Sequence, residues 1–289
     1  YHCLIQLAEA LERNKERLRR VVITEVGCPV TVTGSQIESP IAEVTHWAEH
    51  GKNFDYLIDN GVHDTPLGPA RRKIHYEPVG VVGAITPWNV PFYLNVAETV
   101  PALMAGNTAV LKVAPDTPWS GTYIGKLVSE ETDLPAGVLN IVTAQDPAEV
   151  GDVLTGDPRV DLVSFTGSTA VGRHVMQRAA KTLKRVFLEL GGKSANIVLD
   201  DAPFETCVPA GAMVCMHADH GLHTRRPWSP YTSTMVSAMV SSTAAVSPAP
   251  VMKAAQRSPQ VSAAVGRSWC SPPAVVKVSE RLSTGRGSG

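Results

Sequence analysis

From residue 79 onward, short apolar runs alternate with stretches of helical character, and this alternation leaves few architectures open. Residues 79–85, 108–113, 138–143, 161–165, 184–188 and 195–199 read as strands, separated by helical segments near 93–104, 120–131, 147–155 and 170–180. Near-continuous apolar strands interleaved with helices predict a parallel sheet covered on both faces, an α/β fold of Rossmann-like type. Ligands of such sheets bind outside the carboxyl ends of the strands, so the residues just after each strand are the candidates for function. Upstream, Leu4, Leu7, Leu11 and Leu18 recur at helical spacing and predict one amphipathic helix over 2–22. A second helical stretch is expected over 40–58, ended by Gly61 and the Pro66-Leu67-Gly68-Pro69 loop.

The first strand is followed by Thr86-Pro87-Trp88-Asn89-Val90-Pro91. Two prolines fix this turn, leaving Trp88 as a wall and Asn89 as a neutral amide that either stabilises an oxyanion or satisfies turn backbone. Lys112 ends the second strand, where its ammonium reaches a ribose or phosphate, or is simply solvated. After 161–165 comes Thr166-Gly167-Ser168-Thr169, a turn that opens a helix. Amides at a helix start, with the Ser168 hydroxyl, suit a pyrophosphate; the plain alternative is an N-cap by Ser168 or Thr169. No G-x-G-x-x-G follows the first strand, so the ordinary dinucleotide fingerprint is not present. Finally, Phe187-Leu188-Glu189-Leu190-Gly191-Gly192-Lys193 sets a carboxylate at the end of an apolar run before two glycines. That is the pattern of a partly buried general base approached across thin backbone, or of a solvated acid at a strand end.

Taken in order, these pieces resemble the aldehyde dehydrogenase superfamily. The resemblance rests on Pro78-Val79-Gly80-Val81-Val82-Gly83 through Pro87-Trp88-Asn89-Val90-Pro91, then Phe165-Thr166-Gly167-Ser168-Thr169, then Leu188-Glu189-Leu190-Gly191-Gly192-Lys193-Ser194. It covers roughly residues 1–221. It implies N-terminal helices and an NAD(P)-binding domain over 1–190, with the start of a catalytic domain over 191–221. It also implies oxidation of a small-molecule aldehyde through a thiohemiacetal on cysteine, with NAD or NADP as hydride acceptor and a glutamate activating the hydrolytic water. By the same similarity Asn89 holds the oxyanion and Glu189 is the base, while Ile85, Trp88, Lys112, Gly167, Ser168, Val171 and Leu190 line the cofactor site. Family members assemble as homo-oligomers. Where many NAD-preferring members place a glutamate three residues beyond the strand lysine, this chain has Pro115, which leaves the choice between NAD and NADP open.

The pattern breaks after Cys215-Met216-His217-Ala218. The family continues into a motif bearing the nucleophilic cysteine; by register Leu222 stands in its place, and an isobutyl group forms no covalent adduct. Cys215, if the segment is helical, lies about 10 Å away, too far to substitute. Residues 222–289 turn to Ser, Ala, Val, Pro, Thr and Arg without sustained period, and are expected to be a disordered tail outside the family. They carry eight Lys/Arg against one acid, +7 in all, which leaves −8 on residues 1–221. A reading-frame slip near 219–222 would account for the break; a truncated paralogue, surviving as a nucleotide-binding remnant or an unstable product, is the alternative. The net charge of −1 and pI near 6.8 argue against nucleic acid or an anionic membrane as partner. Five cysteines without paired spacing, no metal-ligand spacing, no apolar run of about 18 residues and no leader pattern lead to the expectation of a cytoplasmic protein.

Overall fold

The computed structural model describes residues 1–192, the strands Asn196–Leu199 and Val275–Val278, and a few residues between 202 and 210. It divides into two compact units, Tyr1–Gly191 and Gly192–Gly289.

The first unit opens on three helices, α1 (His2–Arg13), α2 (Lys15–Val26) and α3 (Thr33–Asn53). The single helix expected over 2–22 is therefore two. Asn14 interrupts it with φ −102° and ψ 8°, and its side chain explains the break. The Asn14 amide donates to Ala10 O at 2.8 Å and to Glu131 Oε1 at 3.2 Å, while its oxygen accepts from the Tyr123 hydroxyl at 2.7 Å. An asparagine that bonds backbone and distant side chains competes with continued helix. Gly27, at φ +65°, then ends α2 in the left-handed region that glycine tolerates.

The helical stretch expected over 40–58 starts earlier and stops earlier, because 57–75 form an antiparallel hairpin that hydrophobic period did not show. Its strands are β1 (Leu57–Thr65) and β2 (Gly68–His75), joined at Pro66-Leu67. Thr65 closes the turn, donating to Gly68 O at 2.7 Å and accepting from the Leu67 amide at 3.2 Å. Both strands are mostly exposed on both faces, so no alternation of apolar and polar residues marks them.

The rest of the unit is the alternating part: β3 (Val81–Ile85), α4 (Pro91–Met104), β4 (Thr108–Lys112), α5 (Pro118–Glu131), β5 (Leu139–Val142), α6 (Pro147–Gly156), β6 (Leu162–Gly167), α7 (Thr169–Ala179) and β7 (Arg185–Leu190). The five strands form a parallel sheet in the order β5-β4-β3-β6-β7. One core packs α1 to α5 around Leu11, Leu18, Ile37, Phe92, Val96, Ile124 and Leu127. A second joins Ile85, Val163 and Phe165 of the sheet to Leu154 of α6 and Val175 of α7. The sheet is thus covered on both faces, as the sequence predicts, except at its edge. Along β7 exposed and half-buried residues alternate, with Val186 and Leu188 turned to the second core and Phe187 55% exposed.

The first turn of α5 is held from far away in sequence. The half-buried carboxylate of Glu25, near the end of α2, accepts from the Trp119 amide and from the Ser120 amide at 3.2 Å. It acts as the cap that the helix's own N-cap, Thr117, does not supply through its side chain. Burial pushes the Glu25 carboxyl up, and the hydrogen bonds from α5 oppose that shift. Glu25→Ala should therefore destabilise the unit by about 1 kcal/mol, the usual cost of a lost cap. A urea titration showing an unchanged midpoint would remove Glu25 from this role.

In the second unit β8 (Asn196–Leu199) pairs in parallel with β9 (Val275–Val278). Those four residues of β9 are the part of 222–289 that is described. Cys215 and Leu222 lie outside the described residues.

Candidate functional site

The strand order reverses at β3. From β3 the chain moves outward to β4 and β5, then returns to lay β6 on the other side of β3 and β7 beyond it. The crevice between the carboxyl ends of β3 and β6 is the topological switch point, where open α/β sheets bind ligands. Register places the predicted residues along this edge. Ile85 pairs with Lys112 on one side and Phe165 on the other, while Thr166 pairs with Glu189 and Gly167 with Leu190.

After β3 the chain runs through Thr86 to Pro91, where α4 begins with proline in its first turn. Thr86 is buried and anchors the segment, its hydroxyl donating to Asn95 Oδ1 at 2.7 Å and its amide to Lys112 O at 3.2 Å. Beyond that anchor Trp88 is half-buried and Asn89 exposed at the mouth of the crevice.

Lys112 does not take the solvated alternative open to a strand-end lysine. It is 3% exposed, and among the described residues its ammonium meets Val113 O alone, at 3.4 Å. Burial without a counter-charge pulls its pKa down from the ordinary lysine range. A buried ammonium at a sheet's ligand-binding edge is a ready partner for an anion or for ribose hydroxyls.

At the end of β6, Gly167 runs close to its neighbours: a Cβ there would lie 2.6 Å from Phe165 Cζ. Ser168 caps α7, its hydroxyl accepting from the Val171 amide at 3.2 Å. The capping alternative is therefore realised, and the hydroxyl proton stays available as a donor. Val171 is 47% exposed on the first turn of α7. Leu190 lies against the other side of that helix, where a Cβ on Gly172 would come within 2.5 Å of Leu190 Cδ2. A bare backbone turn, a helix N-terminus and a buried ammonium on one edge fit the phosphates and ribose of a dinucleotide.

Glu189 differs from the reading of a partly buried acid, since its side chain is exposed. The cause is topological: β7 is the last strand of the described sheet, and Phe187 and Glu189 lie on its face opposite the second core, which takes Val186 and Leu188. Two further residues belong to this region, one named above only as part of a motif and one not named. Thr166, next to Gly167, and Glu98, in the middle of α4, are hydrogen-bonded to each other at 2.6 Å. The sole sequence signal was that both β6 and α4 carry polar residues where an apolar one is expected. Among the described residues no group of three or more His, Cys, Asp or Glu could hold a metal ion, and no helix is long and apolar enough to cross a membrane.

Residues 1–218 match the aldehyde dehydrogenase family. A 3-succinoylsemialdehyde-pyridine dehydrogenase of a Pseudomonas species is 40% identical over 216 residues, which is 74% of this chain and 43% of that protein. A D-glyceraldehyde dehydrogenase (NADP(+)) of Thermoplasma acidophilum is 34% identical over 202 residues, 69% of this chain and 39% of that one. Among solved structures, a betaine aldehyde dehydrogenase of Staphylococcus aureus in complex with NAD+ superposes with a TM-score of 0.69 at 32% identity, over 73% of this chain and 41% of its own. The chain thus spans less than half the length of these relatives. With the family match extending over most of its residues, the chain belongs to the aldehyde dehydrogenase family.

Proposed function

We propose that residues 1–191 form the NAD(P)-binding unit of an aldehyde dehydrogenase, and that the chain as written binds dinucleotide without oxidising aldehydes. The observation that carries the binding half is the switch-point crevice, with Lys112 buried and without an acidic partner among the described residues at one side, and the Gly167-Ser168 turn at the other. In this reading the amides at the start of α7 and the Ser168 hydroxyl hold the pyrophosphate, and Lys112 holds the adenosine ribose. Ile85, Trp88, Val171 and Leu190 wall the site. Asn89 donates to an oxyanion at the mouth and Glu189 accepts a proton from water. The bound dinucleotide supplies a hydride acceptor; the chain's own residues bind, orient and handle protons. Either NAD or NADP fits, because no carboxylate among the described residues pairs with Lys112 to repel a 2′-phosphate.

Inactivity is expected from Leu222, which by the register of the resemblance takes the place of the family's nucleophilic thiol. Without a thiolate no thiohemiacetal forms, and Glu189 has no thioester to hydrolyse. Calorimetry with NAD+ and NADP+, followed by a spectrophotometric assay over a panel of aldehydes, separates the two halves. Binding with no NAD(P)H formation is expected. Aldehyde-dependent NAD(P)H above background would overturn the account of Leu222, and absence of any dinucleotide binding would overturn the account of the crevice. The frame-slip hypothesis for the 219–222 break has its own check: a gene sequence across codons 215–230 that reads cleanly in the present frame sinks it.

A further inference from the structure

The cofactor crevice has two walls, α4 rising from the Trp88-Asn89 turn and β6 leading into the Gly167-Ser168 turn, and a single carboxylate joins them. Ser164 donates its hydroxyl to Glu98 Oε2, and Thr166 donates to Glu98 Oε1 at 2.6 Å. Among the described residues these are the side-chain hydrogen bonds that tie α4 to β6. Ser164 is buried and Glu98 and Thr166 are half-buried, so the bonds are partly shielded from water. Bonds from hydroxyls to a carboxylate are charge-assisted and stronger than neutral ones. Thr166 is the last residue before the bare turn at Gly167, where no side chain fixes the backbone. We propose that Glu98 is a positioning residue for dinucleotide binding: it holds Thr166, and through it the phosphate-binding turn, at a fixed distance from α4, the helix that follows the Trp88-Asn89 turn. This inference rests on the cofactor reading given above.

A carboxylate that only satisfied two hydroxyls would have no effect on the turn itself, and that difference can be measured. The experiment uses the full chain and three variants: Glu98→Ala, Glu98→Gln and Glu43→Ala. Glu43 is the control, because it also bonds α4, accepting from the Tyr93 hydroxyl at 2.6 Å, but on the side away from β6. Two quantities are read: affinity for NAD+ and NADP+ by calorimetry, and amide hydrogen exchange at residues 167–171 of the unliganded protein.

Loss of both charge-assisted bonds in Glu98→Ala is expected to weaken binding by about tenfold or more and to speed exchange at 167–171. Glu98→Gln keeps an acceptor for one hydroxyl and a donor for the other, and should bind within about threefold of the parent. Glu43→Ala should match the parent in both readings. Parent-like affinity and exchange in Glu98→Ala would overturn the proposal, as would an equal loss in Glu43→Ala. A parent chain that binds no dinucleotide would remove the cofactor reading instead. Exchange at 167–171 then decides the clamp alone: faster in Glu98→Ala supports it, unchanged overturns it.

Discussion

A Lys112→Met chain should melt at a higher temperature than its parent and bind dinucleotide far more weakly. Both effects come from one ammonium that is 3% exposed and has no carboxylate partner among the described residues. Replacing a buried ion pair by apolar side chains of similar volume is often neutral or stabilising by roughly 1–4 kcal/mol, and a lone ammonium has no Coulombic attraction to forfeit. For a domain of this size each kcal/mol moves the melting point by about 2–4 °C. The pH dependence gives a sharper check. Burial lowers the folded-state pKa of Lys112 below its unfolded value. The unfolded chain therefore binds more protons between those two values, and stability rises with pH across that alkaline window. Below the folded pKa the penalty is complete and constant. Lys112→Met should lack the alkaline rise. Affinity should fall by about tenfold or more in the variant, the worth of a hydrogen bond from a charged donor. A variant no more stable than the parent would mean that the ammonium reaches water, and one that binds dinucleotide equally well would remove Lys112 from the site.

The second large effect is expected at Gly80, where the chain enters β3. Its φ is +121°, a region almost closed to residues with a side chain, and a Cβ would stand 2.1 Å from Asp161 Oδ2. Asp161 is not free to move without loss, because the same oxygen accepts from the Val81 amide at 2.8 Å. The Gly80 amide itself donates to Asn107 Oδ1 at 3.0 Å. Gly80→Ala would impose backbone strain of about 1–3 kcal/mol and forfeit a hydrogen bond of about 1 kcal/mol. A loss of roughly 2–4 kcal/mol in a denaturant titration is expected. A change below about 0.5 kcal/mol would show that the loop relaxes around the new methyl group.

The parallel sheet was legible because its central strands are buried on both faces, so apolar runs mark them directly. Val82, Ala84, Leu111 and Val163 are each at most 3% exposed. The hairpin at 57–75 was not legible, since strands exposed on both faces carry no pattern and Thr65 shapes their turn through its hydroxyl rather than through a glycine pair. The break at Asn14 escaped for a different reason. Nothing local forces it; partners on α5 more than a hundred residues later complete the asparagine's bonding. Within the crevice, Asn89, Lys112 and Ser168 could be picked out as polar residues at strand ends. Glu98 could not, because a carboxylate in mid-helix reads as solvent-facing until β6 is known to lie beside it.

Those long-range bonds set an order of events as the chain is made. Gln6 is joined to Asp133, Arg13 to Glu131 and Asn14 to Tyr123, so the first helices are fastened by residues 109 to 127 positions downstream. At ribosomal rates of about 5–20 residues per second, α1 and α2 wait roughly 5–25 seconds for α5 to emerge. During that interval Leu4, Leu7, Leu11 and Leu18, all buried in the finished unit, have no α5 to lie against. The apolar stripe over residues 4–18 therefore stays without one of its final partners until α5 has been made.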